Sequence, residues 1–315
     1  MKTSRLGSRG PEITRVGLGA SSIGGHGWGP VHDEESIAAI RHAIAGGINW
    51  VDTAASYGQG HSEEIVRRAI EPYTAGEDVL IFTKCGLRWS DNDPGTENNL
   101  TPESIRLECE KSLERLGVER IDLFQFHWPD ELGTPVEDSW GTMVELIEEG
   151  KVRWGGVSNF DVKLLERCEA IRHVDSVQPP LSLIDRDALH EVIPWAHEHG
   201  TGVIVYSPMA SGLLTGRFTK DRAESLTEDD WRRDSPAFRE PALSKTLAGV
   251  ERLRTEVEWM NTTVPSLAVA WTLRQPGVTG AIVGARRPEQ VDGWLPAGDL
   301  ELDDDSAWDV EAAFS

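Results

Sequence analysis

Short apolar runs alternate with longer amphipathic stretches along almost the whole chain. Two polar–apolar stretches over residues 3–16, arranged about Gly7-Ser8-Arg9-Gly10-Pro11, predict an opening β-hairpin. Buried strands are then predicted at 15–19, 48–52, 79–83, 121–126, 152–157, 174–178, 202–206 and 278–283. Helical patterns stand between them. One is capped at Asp33 and closed by Gly46-Gly47, and one is capped at Ser62 and runs to about Glu71. A third opens at Thr101 with Pro102 in the first helical position, carries Ile105, Cys109, Leu113 and Leu116 on one face, and stops at Gly117. Further helices are predicted over 136–149, 161–172, 187–199, 244–260 and 265–275, and from Pro288.

An apolar run followed by a helix, repeated, is the signature of parallel βα units. Eight units with no linker-like break predict one α/β domain over residues 1–315. It would be a (β/α)8 TIM barrel with an N-terminal β-hairpin and extra C-terminal helices. A doubly wound sheet would need a glycine-rich phosphate turn after its first strand, and Gly17-Leu18-Gly19-Ala20-Ser21-Ser22 lacks the third glycine of that turn. The regularity lapses over 207–243, a polar stretch punctuated by Gly and Pro. A loop of that length inside a barrel is expected to be functional.

Composition narrows the partners. With 53 acidic residues and a formal net charge of −22, neither nucleic acid nor an anionic membrane is an expected partner. Lysine is scarce beside arginine, 7 against 24, a balance that suits either a high-salt cytoplasm or ordinary acidic drift. The three cysteines are isolated and form no C-x-x-C, as expected of a reducing compartment. The N-terminus has no apolar core of a leader, and nowhere do 18 apolar residues run together, so a cytoplasmic location is expected. Oligomeric state is left open.

In a barrel of this type, residues just past the strand C-termini line the active face. Those positions hold Asp52, Lys84, His127, Ser158-Asn159, Gln178 and Tyr206-Ser207, and Tyr57 follows Asp52 by five residues. Each has an ordinary reading alone: a turn carboxylate, a solvated lysine, a core histidine, a half-buried tyrosine. Together they form an acid, a phenol, an ammonium and an imidazole on one rim, a set suited to proton transfer to a carbonyl oxygen. An oxygen that gains negative charge needs a proton donor within hydrogen-bond reach. Tyrosine titrates near ~10, and a close ammonium would lower that value while a carboxylate keeps the ammonium charged and aimed.

These residues and their order resemble the aldo-keto reductase family, and the likeness covers nearly the whole chain. Asp52, Tyr57, Lys84 and His127 match that family's catalytic tetrad, with Tyr57 implied as the general acid. Gly156-Val157-Ser158-Asn159-Phe160 and Gln178 are similar to its contacts with the nicotinamide carboxamide. Tyr206-Ser207-Pro208 is similar to the segment whose tyrosine stacks on the nicotinamide ring. Ser211-Gly212-Leu213-Leu214-Thr215-Gly216-Arg217 resembles the pyrophosphate loop, and Gly284-Ala285-Arg286-Arg287-Pro288-Glu289-Gln290 the adenosine-phosphate loop. The resemblance implies hydride transfer between NADPH, or NADH, and aldehydes, ketones or sugars.

The residue chemistry agrees with those roles. Ser158, Asn159 and Gln178 offer donors and acceptors to an amide. Arg286 and Arg287 stand where a helix begins and would favour a 2′-phosphate, hence NADPH. One departure from the resemblance stands out: Gly293-Trp294 occupy positions where the family usually has Glu-Asn contacts to adenine, so either Trp294 stacks in place of a hydrogen bond or the adenine end is held loosely. Trp28, Trp89 and Trp128 fall in the first, third and fourth βα connections and are expected to wall the substrate pocket. His197-Glu198-His199 is not H-E-x-x-H, no G-x-S-x-G is present, and the strand ends lack the paired acids of a glycosidase, so no metal is expected. The rival reading is a slow-turnover redox-sensing protein of the same fold.

Overall fold

Apolar strands this short leave both faces to be covered, and the chain achieves this by closing on itself. The computed structural model describes residues 1–25, 27–90 and 93–314. Eight parallel strands form a closed barrel in sequence order: Val16–Gly19, Trp50–Asp52, Leu80–Cys85, Ile121–Phe126, Val152–Ser158, Ser176–Gln178, Gly202–Val205 and Gly280–Gly284. Helices pack outside it. The antiparallel pair Thr3–Arg5 and Glu12–Thr14 is the predicted hairpin. Its Leu6 and Ile13 are buried with Trp50, Leu80, Phe82, Leu123, Ile204 and Ile282. That cluster fills the barrel's interior, while a larger apolar layer seals the strands against the helices.

Several boundaries differ from expectation for local reasons. Asp33 is the first helical residue rather than the cap, and its carboxylate pairs with His61 and Arg68. Ser62 lies inside the helix His61–Ile70, which starts from left-handed Gly60. Its buried hydroxyl donates to the Ala20 carbonyl at 2.9 Å and also meets Thr53 Oγ1 at 2.9 Å, so it ties the helix to two strand ends instead of capping. The helix expected over 187–199 is a 3-10 turn, Asp187–Leu189, followed by a helix over Val192–His199. Pro194 explains the break. Its ring would strike the carbonyl four residues earlier, so it is tolerated only in a first turn and the helix restarts just ahead of it.

The third βα connection forms an antiparallel hairpin of its own, Leu87–Ser90 with Asp93–Asn98. The apolar pattern carries no sign of it, because Asp93-Pro94-Gly95 reads as a chain breaker. The irregular stretch 207–243 consists of short turns and one helix, Lys220–Glu224. Leu213, Phe238 and Leu243 pin it down as a small core of their own. Among the described residues no helix is long and apolar enough to cross a membrane.

Candidate active site

Side chains two apart along a strand share a face, so each inward-facing series passes from the barrel's apolar floor to its mouth. The second strand runs Trp50 then Asp52; the third runs Leu80, Phe82, Lys84; the fourth runs Leu123 and Gln125, with His127 just beyond. Register brings Lys84 beside Gln125 on the adjoining strand. A polar layer therefore lies on top of an aromatic one.

Lys84 is fully buried, and its ammonium donates to Asp52 Oδ1 at 2.5 Å, to the Thr53 carbonyl at 2.9 Å and to the Tyr57 hydroxyl at 3.5 Å. Burial would strip that proton, but the Asp52 carboxylate and the Tyr57 phenol outweigh it, and the pKa of Lys84 lies above its ordinary value. For Tyr57 the balance goes the other way. Burial raises its pKa more than Lys84, acting in the expected direction, lowers it, so the net shift is upward. The hydroxyl keeps its proton at neutral pH and stands 3.5 Å from a fixed positive charge. Burial, and then the charge of Lys84, hold His127 well below 6.5, so its ring is neutral. Ser56 Oγ lies 3.3 Å from Nδ1. With that hydroxyl donating, the ring proton sits on Nε2. The His127 ring meets the Tyr57 ring edge-on, with centroids 5.5 Å apart.

Above this group opens a cavity of about 880 Å³. Asp52, Tyr57, His127, Ser158, Asn159, Gln178, Tyr206, Ser207 and Pro208 line its deep end. Asn159 donates to the His127 carbonyl at 2.9 Å and accepts from the Tyr206 hydroxyl at 2.8 Å, which fixes the flat face of Tyr206 in the wall. Farther out the wall holds Ser211, Gly212, Gly216 and Arg217, then Gly284, Ala285, Arg286 and Gln290. Gln290 Oε1 accepts the backbone N–H of Arg286 at 2.8 Å, shaping that turn. Trp28 and Trp128 line the mouth.

Other residues singled out in the sequence stand elsewhere. Trp89 lies on the hairpin of the third connection and is not part of the cavity wall, since that connection pairs with itself instead of lying along the opening. Leu213 is buried against Phe238 and Leu243, so only its neighbours face the cavity. Arg287 is exposed and donates to Glu35 at 2.9 Å. Its backbone is extended, so its side chain diverges from that of Arg286, which reaches inward to the carbonyls of Trp28 and Pro30. Trp294 is 1% exposed and packed into the main core, and it also lines the outer cavity wall beside Gly293 and Gln290.

Three features were not anticipated. Gln125 lies under the tetrad, and its signal was a lone amide in an apolar strand. Arg222, Arg232 and Arg254 join Arg217 and Arg286 in the cavity wall, and nothing in their local pattern marks them. Arg232 forms a buried pair with Asp230 and stacks on Trp28 at 5.0 Å, while Trp231 N–H donates to the Gly27 carbonyl. The 207–243 segment is thereby fastened to the first βα loop across the cavity.

Residues 15–314 match the family model described as Aldo/keto reductase family. Aldo-keto reductase YhdN of Bacillus subtilis (strain 168) is 37% identical, over 93% of this chain and 87% of that one. The NADH-specific methylglyoxal reductase of Escherichia coli (strain K12) is 34% identical, over 98% and 96% respectively. The solved glycerol dehydrogenase of Gluconobacter oxydans superposes with a TM-score of 0.90 at 36% identity, covering 99% of this chain and 94% of its own. Barrel, mouth and relatives agree: the chain belongs to the aldo/keto reductase family of NAD(P)H-dependent oxidoreductases.

Proposed function

We propose that this protein reduces small aldehydes, ketones or sugar carbonyls to alcohols with NADPH, and that Tyr57 delivers the proton. The observation that carries this reading is the buried chain Asp52–Lys84–Tyr57 ending at the floor of the cavity. The nicotinamide, when bound, supplies the hydride. Tyr57 gives its proton to the carbonyl oxygen, and Lys84 stabilises the phenolate left behind. Asp52 keeps Lys84 charged and aimed. Neutral His127 donates a hydrogen bond from Nε2 to the same oxygen and orients the carbonyl. Trp28 and Trp128 exclude water from one side of the substrate.

The cavity fits the cofactor by its donor set. The acceptor of Gln178 and the hydroxyl of Ser158 suit a carboxamide, and Tyr206 suits a ring face. Left-handed Gly212 and Gly216, with no side chain, let a pyrophosphate approach the backbone closely. NADPH is preferred because five guanidiniums share the outer wall, and Arg286 is depressed first by burial and then by Arg232, Arg222 and Arg287. Such crowding favours a phosphate-rich ligand. The Escherichia coli relative is NADH-specific, so cofactor preference is the point to measure. We expect kcat/KM at least about tenfold higher with NADPH than with NADH, and Arg286→Ala to erase most of that difference. We expect Tyr57→Phe to bind NADPH, read by quenching of tryptophan fluorescence, while losing about 10³-fold of turnover on 4-nitrobenzaldehyde. Turnover surviving that change would remove Tyr57 from its role.

A further inference from the structure

The fourth βα connection brings a tryptophan to the cavity mouth on a loop that has no apolar anchor. From Trp128 to Pro135 no residue is buried, and Trp128 and Leu132 are 41% and 52% exposed. Packing therefore does little to fix the loop's course. One carboxylate does it instead. Asp130 Oδ1 accepts the backbone N–H of Leu132 at 2.9 Å and that of Thr134 at 2.8 Å. Its Oδ2 accepts the backbone N–H of Leu100 at 2.8 Å. Burial alone would raise this carboxyl, but the N–H groups of Leu100, Thr134 and Leu132 outweigh it and hold its pKa below the ordinary value. Asp130 is therefore an anion at neutral pH, with an acceptor on either side.

The two oxygens have separate tasks. Oδ1 closes the turn of its own loop. Oδ2 ties that loop to Leu100, which is 1% exposed and lies between the hairpin ending at Asn98 and the helix Pro102–Leu116. The Leu100 carbonyl in turn accepts from Ser139 Oγ at 2.7 Å, on the helix that follows the loop. Among the described residues one other backbone bond joins the two connections, Glu131 N–H to the Asn98 carbonyl, and at 3.3 Å it is the longer. His127 does not depend on Asp130. Its N–H donates to the Cys85 carbonyl and its carbonyl accepts from Asn159, both at 2.9 Å. Trp128 lacks such support: among the described residues it makes neither a hydrogen bond nor a ring-on-ring contact.

We propose that Asp130 is a positioning residue that sets the Trp128 wall of the substrate pocket and leaves the proton-transfer group alone. It touches neither substrate nor cofactor, and acts by fixing the loop on which Trp128 stands at the cavity mouth. Two adjacent residues thereby divide the work. His127, held by strand ends, serves turnover; Trp128, held through Asp130, selects the group attached to the carbonyl. An aryl group bound at His127 reaches the neighbouring indole, and a short alkyl chain does not. This rests on the carbonyl reduction proposed above.

The test is steady-state kinetics of the full chain, with NADPH, on 4-nitrobenzaldehyde and on propanal. Asp130→Asn keeps the size but sets an amide N–H against a backbone N–H on one side, so either the turn or the tie to Leu100 is lost. KM for 4-nitrobenzaldehyde should rise about tenfold while kcat stays within about twofold, and KM for propanal should change less than about twofold. Trp128→Ala should raise the 4-nitrobenzaldehyde KM to a similar degree. Adding Asp130→Asn to Trp128→Ala should then change it less than about twofold, because the tie has no indole left to place. Additive effects would overturn the inference, and so would equal rises in KM for the two aldehydes. A fall in kcat on both aldehydes with KM unchanged would make Asp130 merely structural and overturn it too. An unchanged 4-nitrobenzaldehyde KM in Trp128→Ala would do the same without any Asp130 variant having to fold. If the unmodified protein reduces neither aldehyde, the proposed reduction falls and this inference with it; if it reduces both and the variants fail as described, only this inference falls.

Discussion

The two ends of the barrel interior are built from the same strands and obey opposite rules. At the floor, Trp50, Phe82, Leu123, Ile204 and Ile282 meet Leu6 and Ile13 of the hairpin. Each is interchangeable in kind, because dispersion and burial ask only for volume and fit. One or two residues farther along, Asp52, Lys84, Gln125 and Gln178 are equally buried but joined by directed contacts. There the ammonium, both carboxylate oxygens and the amide nitrogens have assigned partners, and losing one leaves another unpaired. The floor stabilises the fold and the mouth spends part of that stability on chemistry.

Lys84→Met should break the mouth most severely. It strands the Asp52 carboxylate, costing about 3–5 kcal/mol in urea melts and about 10³-fold in turnover. Adding Asp52→Asn should restore most of the stability and none of the turnover. If the double variant were active, the ion pair would be structural.

At the floor, Trp50→Ala should cost about 3–5 kcal/mol of stability while turnover per folded molecule stays within about threefold. A large loss of turnover at full folding would show that the two ends are not separable. Smaller is Gly17→Ala. A Cβ there would lie 2.2 Å from the Trp50 indole, and overpacking should cost about 1–3 kcal/mol without touching activity.

The smallest effect is on pH dependence. Because His127 is held well below 6.5, turnover should stay level between about pH 6 and 8 rather than follow an ordinary histidine. Below 6.5 the unfolded chain binds a proton at this residue that the folded one refuses. Stability is therefore fully present above that value and is lost as pH falls. His127→Asn should flatten this acid loss in denaturant melts; an unchanged slope would place the titration elsewhere.

Much of this was legible before any coordinates. The eight apolar runs appear as the eight barrel strands, and Asp52, Lys84 and His127 sit at strand ends because a buried parallel strand has few other places for a charge. The hairpin of the third connection was not legible, since its pairing is not written in an apolar period. Nor was the break before Val192, where one proline outweighed a helical pattern.

The sequence by itself determined the fold class, the face on which the chemistry sits and the residue types that carry it, because periodicity reports which side of its own element a residue occupies. Only the tertiary structure decided that Arg286 turns inward and Arg287 outward to Glu35, that Trp294 is core, and that burial outweighs Lys84 at the Tyr57 hydroxyl. It also decided which acceptors take the amide of Gln178. Those outcomes depend on neighbours brought together from distant parts of the chain, and on desolvation that exists only once they meet.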